Sequence, residues 1–308
     1  RAISHFDIVR SYSKIPTQSA DAANSIGIAY VDKYDPFQLV TRNLTVAQVY
    51  DKIIADLVFA EQNITQSASV GKLNKAAIQG YLSRVYLYKG DYTNAILWGQ
   101  KSLALSASVG TIANFKNIWN DTSTDGVLFK ILNSSIENVK TGSAYNQTVA
   151  GEVKSEYVVD YDFYQKFMST DIRKSSYLST SAFSGKSYNN IIKYKQATGK
   201  PIEAVDVKLM RSAEVLLNVA EAMYKKGGME ADALLLLNRL RAQRYSGYVN
   251  GNETGINLYN AIMLERRLEL AFEGDRFFTL KRLGLPIERS AFGPYADGSG
   301  TPATVRNL

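Results

Sequence analysis

Acidic and guanidinium side chains crowd the stretch Ile262–Gly284, IMLERRLELAFEGDRFFTLKRLG, where Glu265, Arg266, Arg267, Glu269, Glu273, Asp275 and Arg276 fall within a few helical turns. Such a cluster could serve acid–base chemistry or could lock a junction. Helical spacing favours the second: Arg266 and Glu269 stand at i,i+3 and Glu269 and Glu273 one turn apart, so an ion-pair network fixing the helix to the turn after it is expected. None of the seven is nominated as catalytic. Asp160 and Asp162 are the best candidates for the paired carboxylates of a glycosidase, which stand about 5 to 9 Å apart. Positions i and i+2 point to different sides of a helix or a strand, so the pairing is poor. Asp125 and Glu152 would converge only through long-range folding. No nucleophile motif is present, and the single histidine, His5, offers no useful general base, so an enzyme is not expected.

The segment Asp121-Thr122-Ser123-Thr124-Asp125-Gly126 has the alternating oxygen groups and the glycine that open a calcium loop. Its twelfth position is Leu132 where a bidentate glutamate is needed, so it reads as a polar turn before a strand. The absence of cysteine excludes disulfides, thiolate metal sites and cysteine nucleophiles, and one histidine excludes a multi-histidine metal site. No metal and no other cofactor is expected.

Ligand capture is better served. A sugar presents C–H faces that lie on aromatic rings and hydroxyl edges that seek amide, hydroxyl or charged partners. Trp119 with Asn120, Tyr145 with Asn146, and Tyr188 with Asn189 supply that mixture in loop-like sequence and are the candidate ligand-binding residues. Each of these aromatics could equally be a packing residue, and Trp98, inside a helical segment, is expected to pack. Lys and Arg number 36 against 29 Asp and Glu, a net charge of +7, but the cations alternate with acids and form no run with interleaved aromatics, so nucleic-acid binding is not expected. No apolar run approaches the roughly 20 residues that span a bilayer.

These residues must be positioned by helices. Leu209–Arg244 reads as a helical hairpin: Leu209, Ala213, Leu216, Leu217, Ala220 and Tyr224 form one apolar stripe, and Arg211, Glu214, Asn218 and Glu221 take the other face, with Glu221 placed to reach Lys225. Gly227-Gly228 ends the first helix and Ala233, Leu234, Leu237 and Leu240 continue the stripe in the second. Gln79–Leu105 repeats the spacing, with Tyr86, Gly90 and Ala95 aligned to Tyr224, Gly228 and Ala233, and Leu82, Ser83, Gly99 and Ser102 at close-packing positions of a tetratricopeptide-like unit. Arg1–Ile15 reads as the end of a helix with Ala2, Phe6, Val9 and Tyr12 inward, so the chain is expected to start in mid-fold. Thr45 caps a helix with Val46, Val49, Ile53, Leu57 and Ala60 inward. From Thr111 to Lys200 the composition turns to Ser, Thr, Asn, Gly and Tyr. Strands are expected at Gly126–Asn133 and Asn190–Lys195, with helical character at Tyr157–Met168 and a capped turn in MSTDIRKSSY. Asn257–Glu273 reads as a helix stopped by Gly274. The tail after Leu285 is irregular and ends without a closing element.

At this point separated segments resemble one family. The Ile262–Gly284 stretch is similar to the C-terminal signature of the SusD/RagB family, and VKLMRSAEVLLNVAEAMYKKGG resembles the helix before it, with Ser212 where the family usually has tyrosine and Thr279 where it has aspartate. RAISHFDIVRSYSKIP, RNLTVAQVYDKIIADLVFA, AIQGYLSRVYLYKGDY and Tyr164–Arg173 resemble family segments in family order. The resemblance implies a mostly α-helical surface lipoprotein of Bacteroidetes, built of tetratricopeptide-like hairpins with a loop-rich ligand-binding region and a few short strands. It implies a non-catalytic protein that captures an oligosaccharide or polysaccharide, or in some branches a peptide, and delivers it to a SusC-like TonB-dependent outer-membrane transporter. The family's N-terminal lipid-bearing cysteine and its terminal segments have no counterpart, so a lipid anchor is expected upstream of this chain. One domain over 1–308 is expected, with a helical region and first repeat at 1–110, a variable ligand face at 111–200, a second repeat and signature helix at 201–283, and a tail at 284–308. The alternative is a helical-repeat scaffold whose groove holds a peptide or partner helix.

Overall fold

The computed structural model describes residues 1–137 and 139–302, so the last residues of the expected tail lie outside the described residues. Helices dominate. α1 (Ala2–Tyr12) buries Ala2, His5, Phe6 and Val9, whereas Tyr12, read as inward, is 76 % exposed at the helix end. α2 (Val46–Asn63) opens on a capping box: the Thr45 hydroxyl accepts from the Gln48 amide and the Gln48 side chain accepts from the Thr45 N–H, satisfying two donors that a helix start leaves unpaired. Its Val46, Val49, Ile53 and Leu57 are buried as expected, and Ala60 only partly.

The first repeat is the hairpin of α3 (Lys75–Lys89) and α4 (Tyr92–Leu105), turned by Gly90 at φ +82° and capped at each start by Asn74 and Asp91. The second is α8 (Ser212–Lys226) and α9 (Glu230–Arg241), with Gly227 ending α8. α4 lies between α3 and α8. Ser83 Oγ donates to the Ala95 carbonyl at 2.8 Å and Ser102 Oγ to the Ala76 carbonyl at 2.7 Å, so small hydroxyl residues tie the first hairpin together. Trp98 is partly buried against this core, as expected.

α8 differs from the two-faced helix read from its sequence. Every residue from Ser212 to Met223 is buried, because α8 packs on α3, α4, α9 and α10 (Gly255–Glu269) at once. Its polar residues therefore face partners and not water. Glu214 is held by Arg84 at 2.5 and 2.6 Å, and Glu221 by Arg282 at 2.6 and 2.7 Å in place of the expected Lys225. Residues 209–211, read as the start of that helix, are the end of a strand that runs from Val207 to Arg211.

The middle region is built on short antiparallel pairs. β1 (Val127–Ile131) pairs with β6 (Val207–Arg211), from Val127 opposite Arg211 to Ile131 opposite Val207, across the base of the region. β2 (Gln147–Val149) and β3 (Glu152–Lys154) form one hairpin, and β4 (Leu178–Phe183) and β5 (Lys186–Ile191) another. Their two-residue turns, Ala150-Gly151 and Ser184-Gly185, have positive φ at both positions, the geometry that suits the right-handed twist of a hairpin. The expected strand at Asn190–Lys195 is thus the end of β5, and only β1 matches its expected place closely. α5 (Phe115–Trp119), α6 (Tyr161–Gln165) and α7 (Ile172–Tyr177) are short, the last two capped by Asp160 and Asp171. A second core of Phe115, Trp119, Phe163, Phe167, Tyr177 and Ile191 joins these pieces to Leu268 and Ala271. α10 stops at Glu269, four residues before the expected end, and Gly274 at φ +78° leads into α11 (Asp275–Arg282).

Candidate ligand-binding site

The charged signature stretch builds a frame, with different partners from those its spacing implied. Glu269 accepts from Arg211 at 2.6 Å and Arg244 at 2.7 Å, with Arg173 at 3.5 Å, and the four side chains are almost wholly removed from water. Arg173 also reaches Asp171 and Glu265, each at 2.9 Å. Burial works against the Glu269 charge, but Arg244, Arg211 and Arg173 outweigh it and hold its pKa below the usual carboxylate range. Arg266 does not pair with Glu269: it donates to Asp275 at 2.8 Å and to Asn218 at 2.7 Å. The network joins α7, β6, the turn after α9 and α10, so it fixes the loop-rich region onto the helices.

Trp119 sits on this frame and not on the surface. It is 0 % exposed, with the Lys193 ammonium 4.0 Å from its ring centroid and Arg211 5.2 Å away, and Tyr177 and Tyr194 stand edge-on to it. A buried ring with cations on its face offers no platform to a sugar, which corrects the expectation for Trp119. Asn120 accepts from the Thr122 amide and hydroxyl, and its carbonyl accepts from Thr198, so it shapes a turn. Asp121, the supposed first calcium ligand, is held by Lys200 at 2.9 Å and by Lys208.

Tyr145 is partly exposed and stacks on Tyr194 at 6.1 Å, and Tyr157 stands edge-on to it at 6.4 Å. Asn146 is buried and accepts from Lys195 at 2.8 Å, which makes it a support for Tyr145. Tyr188 packs edge-on to Tyr295 at 5.5 Å, and buried Asn189 donates to the Ala296 carbonyl at 3.3 Å, so this pair anchors the segment after α11. The structure therefore does not bring the six candidates together: of them, Tyr145 lines the smaller of the two clefts described next, and none lines the larger. Tyr157, 63 % exposed, was not singled out as an aromatic platform, although its place in a polar stretch beside Asp160 and Asp162 was legible.

Two clefts open here. The smaller, about 300 Å³, lies between Tyr145, Tyr194 and Phe272 on one side and Tyr81, Arg10 and Arg84 on the other. Its cations are already matched: Arg84 with Glu214, Lys208 with Asp121, and Arg10 with Asp7 at 2.6 Å. The larger, about 840 Å³, is lined by Tyr157, Phe292, Asp160, Asp162, Arg267 and Arg276, with Pro286 and Pro294 among its walls. Its two aspartates serve separate tasks. Asp160 caps α6 through the Phe163 amide at 3.0 Å, and Asp162 pairs with Lys166 at 3.1 Å. His5 is committed elsewhere, accepting from the Val31 amide at 3.0 Å under a stacked Tyr30 ring.

The profile of the SusD family matches residues 109–298, and a second profile, described as starch-binding associating with outer membrane, matches residues 1–87. The chain belongs to the SusD family. It is 26 % identical to SusD-like protein P2 of Formosa agariphila, over 96 % of this chain and 65 % of that protein. Two crystal structures are similar to it: a candidate sugar-binding protein of Bacteroides vulgatus, with TM-score 0.79 and 26 % identity over 94 % of this chain and 65 % of that one, and a SusD superfamily protein of Bacteroides thetaiotaomicron, with TM-score 0.78 and 25 % identity over 94 % and 67 %. The chain spans just under two thirds of the length of the first two of these relatives. The tetratricopeptide-like helical fold is that of the family.

Proposed function

We propose that this chain is a non-catalytic glycan-binding protein of the cell surface, which captures an oligosaccharide or polysaccharide and passes it to a SusC-like TonB-dependent transporter in the outer membrane. The observation that carries this reading is the larger cleft, which the exposed Tyr157 ring and Phe292 line together with carboxylate and guanidinium groups. Its volume is within the range of about 300–1,000 Å³ found for small-ligand sites, and rings with polar neighbours match the two faces of a sugar. The descriptions of the relatives, sugar-binding in one case and starch-binding with outer-membrane association in a matched profile, point the same way. Among the described residues no helix is long and apolar enough to cross a membrane, so association would come through a lipid anchor or the transporter.

Native affinity electrophoresis through gels containing a panel of plant, host and microbial polysaccharides tests this. Retardation by at least one polysaccharide, lost in Tyr157→Ala, is the expected result. Migration unaffected by every polysaccharide, or equal retardation of the variant, would count against it.

A further inference from the structure

The arginines of the signature stretch are of two kinds. Arg266 and Arg282 are gripped by Asp275 and Glu221. Arg267 and Arg276 make no ion pair and donate no hydrogen bond among the described residues, and both line the larger cleft. Arg267 is partly buried, and Arg276 is more exposed at the rim. Burial lowers the pKa of Arg267, with Asp162 and Asp160 offsetting it only in part; burial lowers that of Arg276 too, and the neighbouring Arg267 adds to the effect while Asp275 opposes it in part. A guanidinium keeps its proton throughout the range where the protein is folded, so these directions describe two cations short of a counter-charge.

The acids of the same cleft form no ion pair with either of them among the described residues. Asp160 is occupied by the Phe163 amide and the Ser290 hydroxyl, Asp162 by Lys166, and Glu156 by the Gln147 amide at 3.3 Å. Glu288 and Arg289 are both exposed and opposite in charge. Arg267 is also oriented, its guanidinium 4.5 Å from the centroid of the Phe163 ring. The smaller cleft makes the contrast, since Arg84, Lys208 and Arg10 there are each matched to a carboxylate.

We infer that Arg267 and Arg276 form an anion subsite in the larger cleft, so that the captured glycan carries carboxylate or sulfate groups. This rests on the glycan-capture reading of that cleft. A guanidinium presents N–H donors in a planar fork that matches both a carboxylate and a sulfate, whereas neutral hydroxyls leave its charge unanswered. Tyr157 and Phe292 hold the sugar faces while the arginines read the charge.

Isothermal titration calorimetry on the 308-residue chain distinguishes the cases with three sets of oligosaccharides of matched length: polygalacturonate fragments for carboxylate, carrageenan fragments for sulfate, and maltooligosaccharides with neutral galactan fragments. At least one anionic set is expected to bind about tenfold or more tighter than the neutral sets, and to weaken steeply as sodium chloride rises from about 50 to about 500 mM. Arg267→Gln with Arg276→Gln should remove that preference and flatten the salt dependence, and the two lysine replacements should restore part of both. Which anionic set binds assigns the group. Binding of neutral sets with no anionic preference would overturn the subsite and leave glycan capture standing, as would an anionic preference untouched in the glutamine variant. No binding to any set would overturn both. Circular dichroism melts of each variant show whether a loss reflects unfolding.

Discussion

Glu269 gathers guanidinium groups from three distant parts of the chain, Arg173, Arg211 and Arg244, with no water at hand to replace any of them. Removing the carboxylate leaves buried cations facing one another, so Glu269→Ala is expected to cost about 3–5 kcal/mol, the usual penalty for stranding a buried charge. Urea titration of the variant against the parent measures it. A fall of under about 1 kcal/mol would show that the network is hydrated. That the cluster is structural could be read from its spacing, but its partners could not. Arg84 and Glu214 are 130 positions apart and Glu221 and Arg282 are 61, and no helical periodicity encodes such distances. The same limit left Trp119 open between ligand platform and packing residue: a tryptophan with Asn117 and Asn120 close by looks like loop, yet α5 tucks it beneath Lys193 and Arg211.

The helices were far more legible because their signals are local. The Thr45 capping box, the Gly90 and Gly227 stops and the small residues of the first hairpin each act within a few positions of where they stand. Gly99 is the sharpest of these. A Cβ there would run into Val219 Cγ2 of α8 and stand 2.8 Å from Ser83 Oγ of α3, so α4 can fit between its neighbours only with no side chain at this point. Gly99→Ala is expected to destabilise by about 1–3 kcal/mol despite alanine's better helix propensity, because overpacking at a three-helix contact outweighs it. Thermal melting decides it: a raised melting temperature would show that α8 yields. Strands were read less well. β2, β3, β4 and β6 hold their places through pairing across the middle region, and three-residue or polar strands carry no alternation strong enough to read.

For the molecule as a whole, the buried carboxylates set how it meets acid. Burial opposes the charge of Asp206, but Lys130, Lys200 and the Asn133 amide win and draw its pKa down to about 2, and Glu269 and Glu221 also lie below their usual 4.5. These groups are more readily protonated in the unfolded chain, so their contribution is complete at neutral pH and is lost as pH falls through about 4.5 toward 2. Asp171, which burial raises, opposes the trend but is one against three. Unfolding free energy by urea should therefore stay level between about pH 7 and 5 and drop below about 4.5. Stability that rises on acidification would contradict the network's role. One consequence follows from the β1–β6 pairing. With Ile131 opposite Val207 and Lys130 paired to Asp206 at 2.6 Å, residues 132–206 leave and rejoin the helical frame at a single clasp. Lengthening a closed excursion costs little entropy, so its tips should tolerate insertion and replacement. The exchange has a boundary, however. Arg173 and Lys193 reach out of the excursion to Glu265, Glu269 and Glu273, and a graft that replaced them would leave the frame holding unanswered acids. The interchangeable parts are the turns between those two residues and the clasp, where new sequence can be spliced in while the docking of the excursion stays fixed.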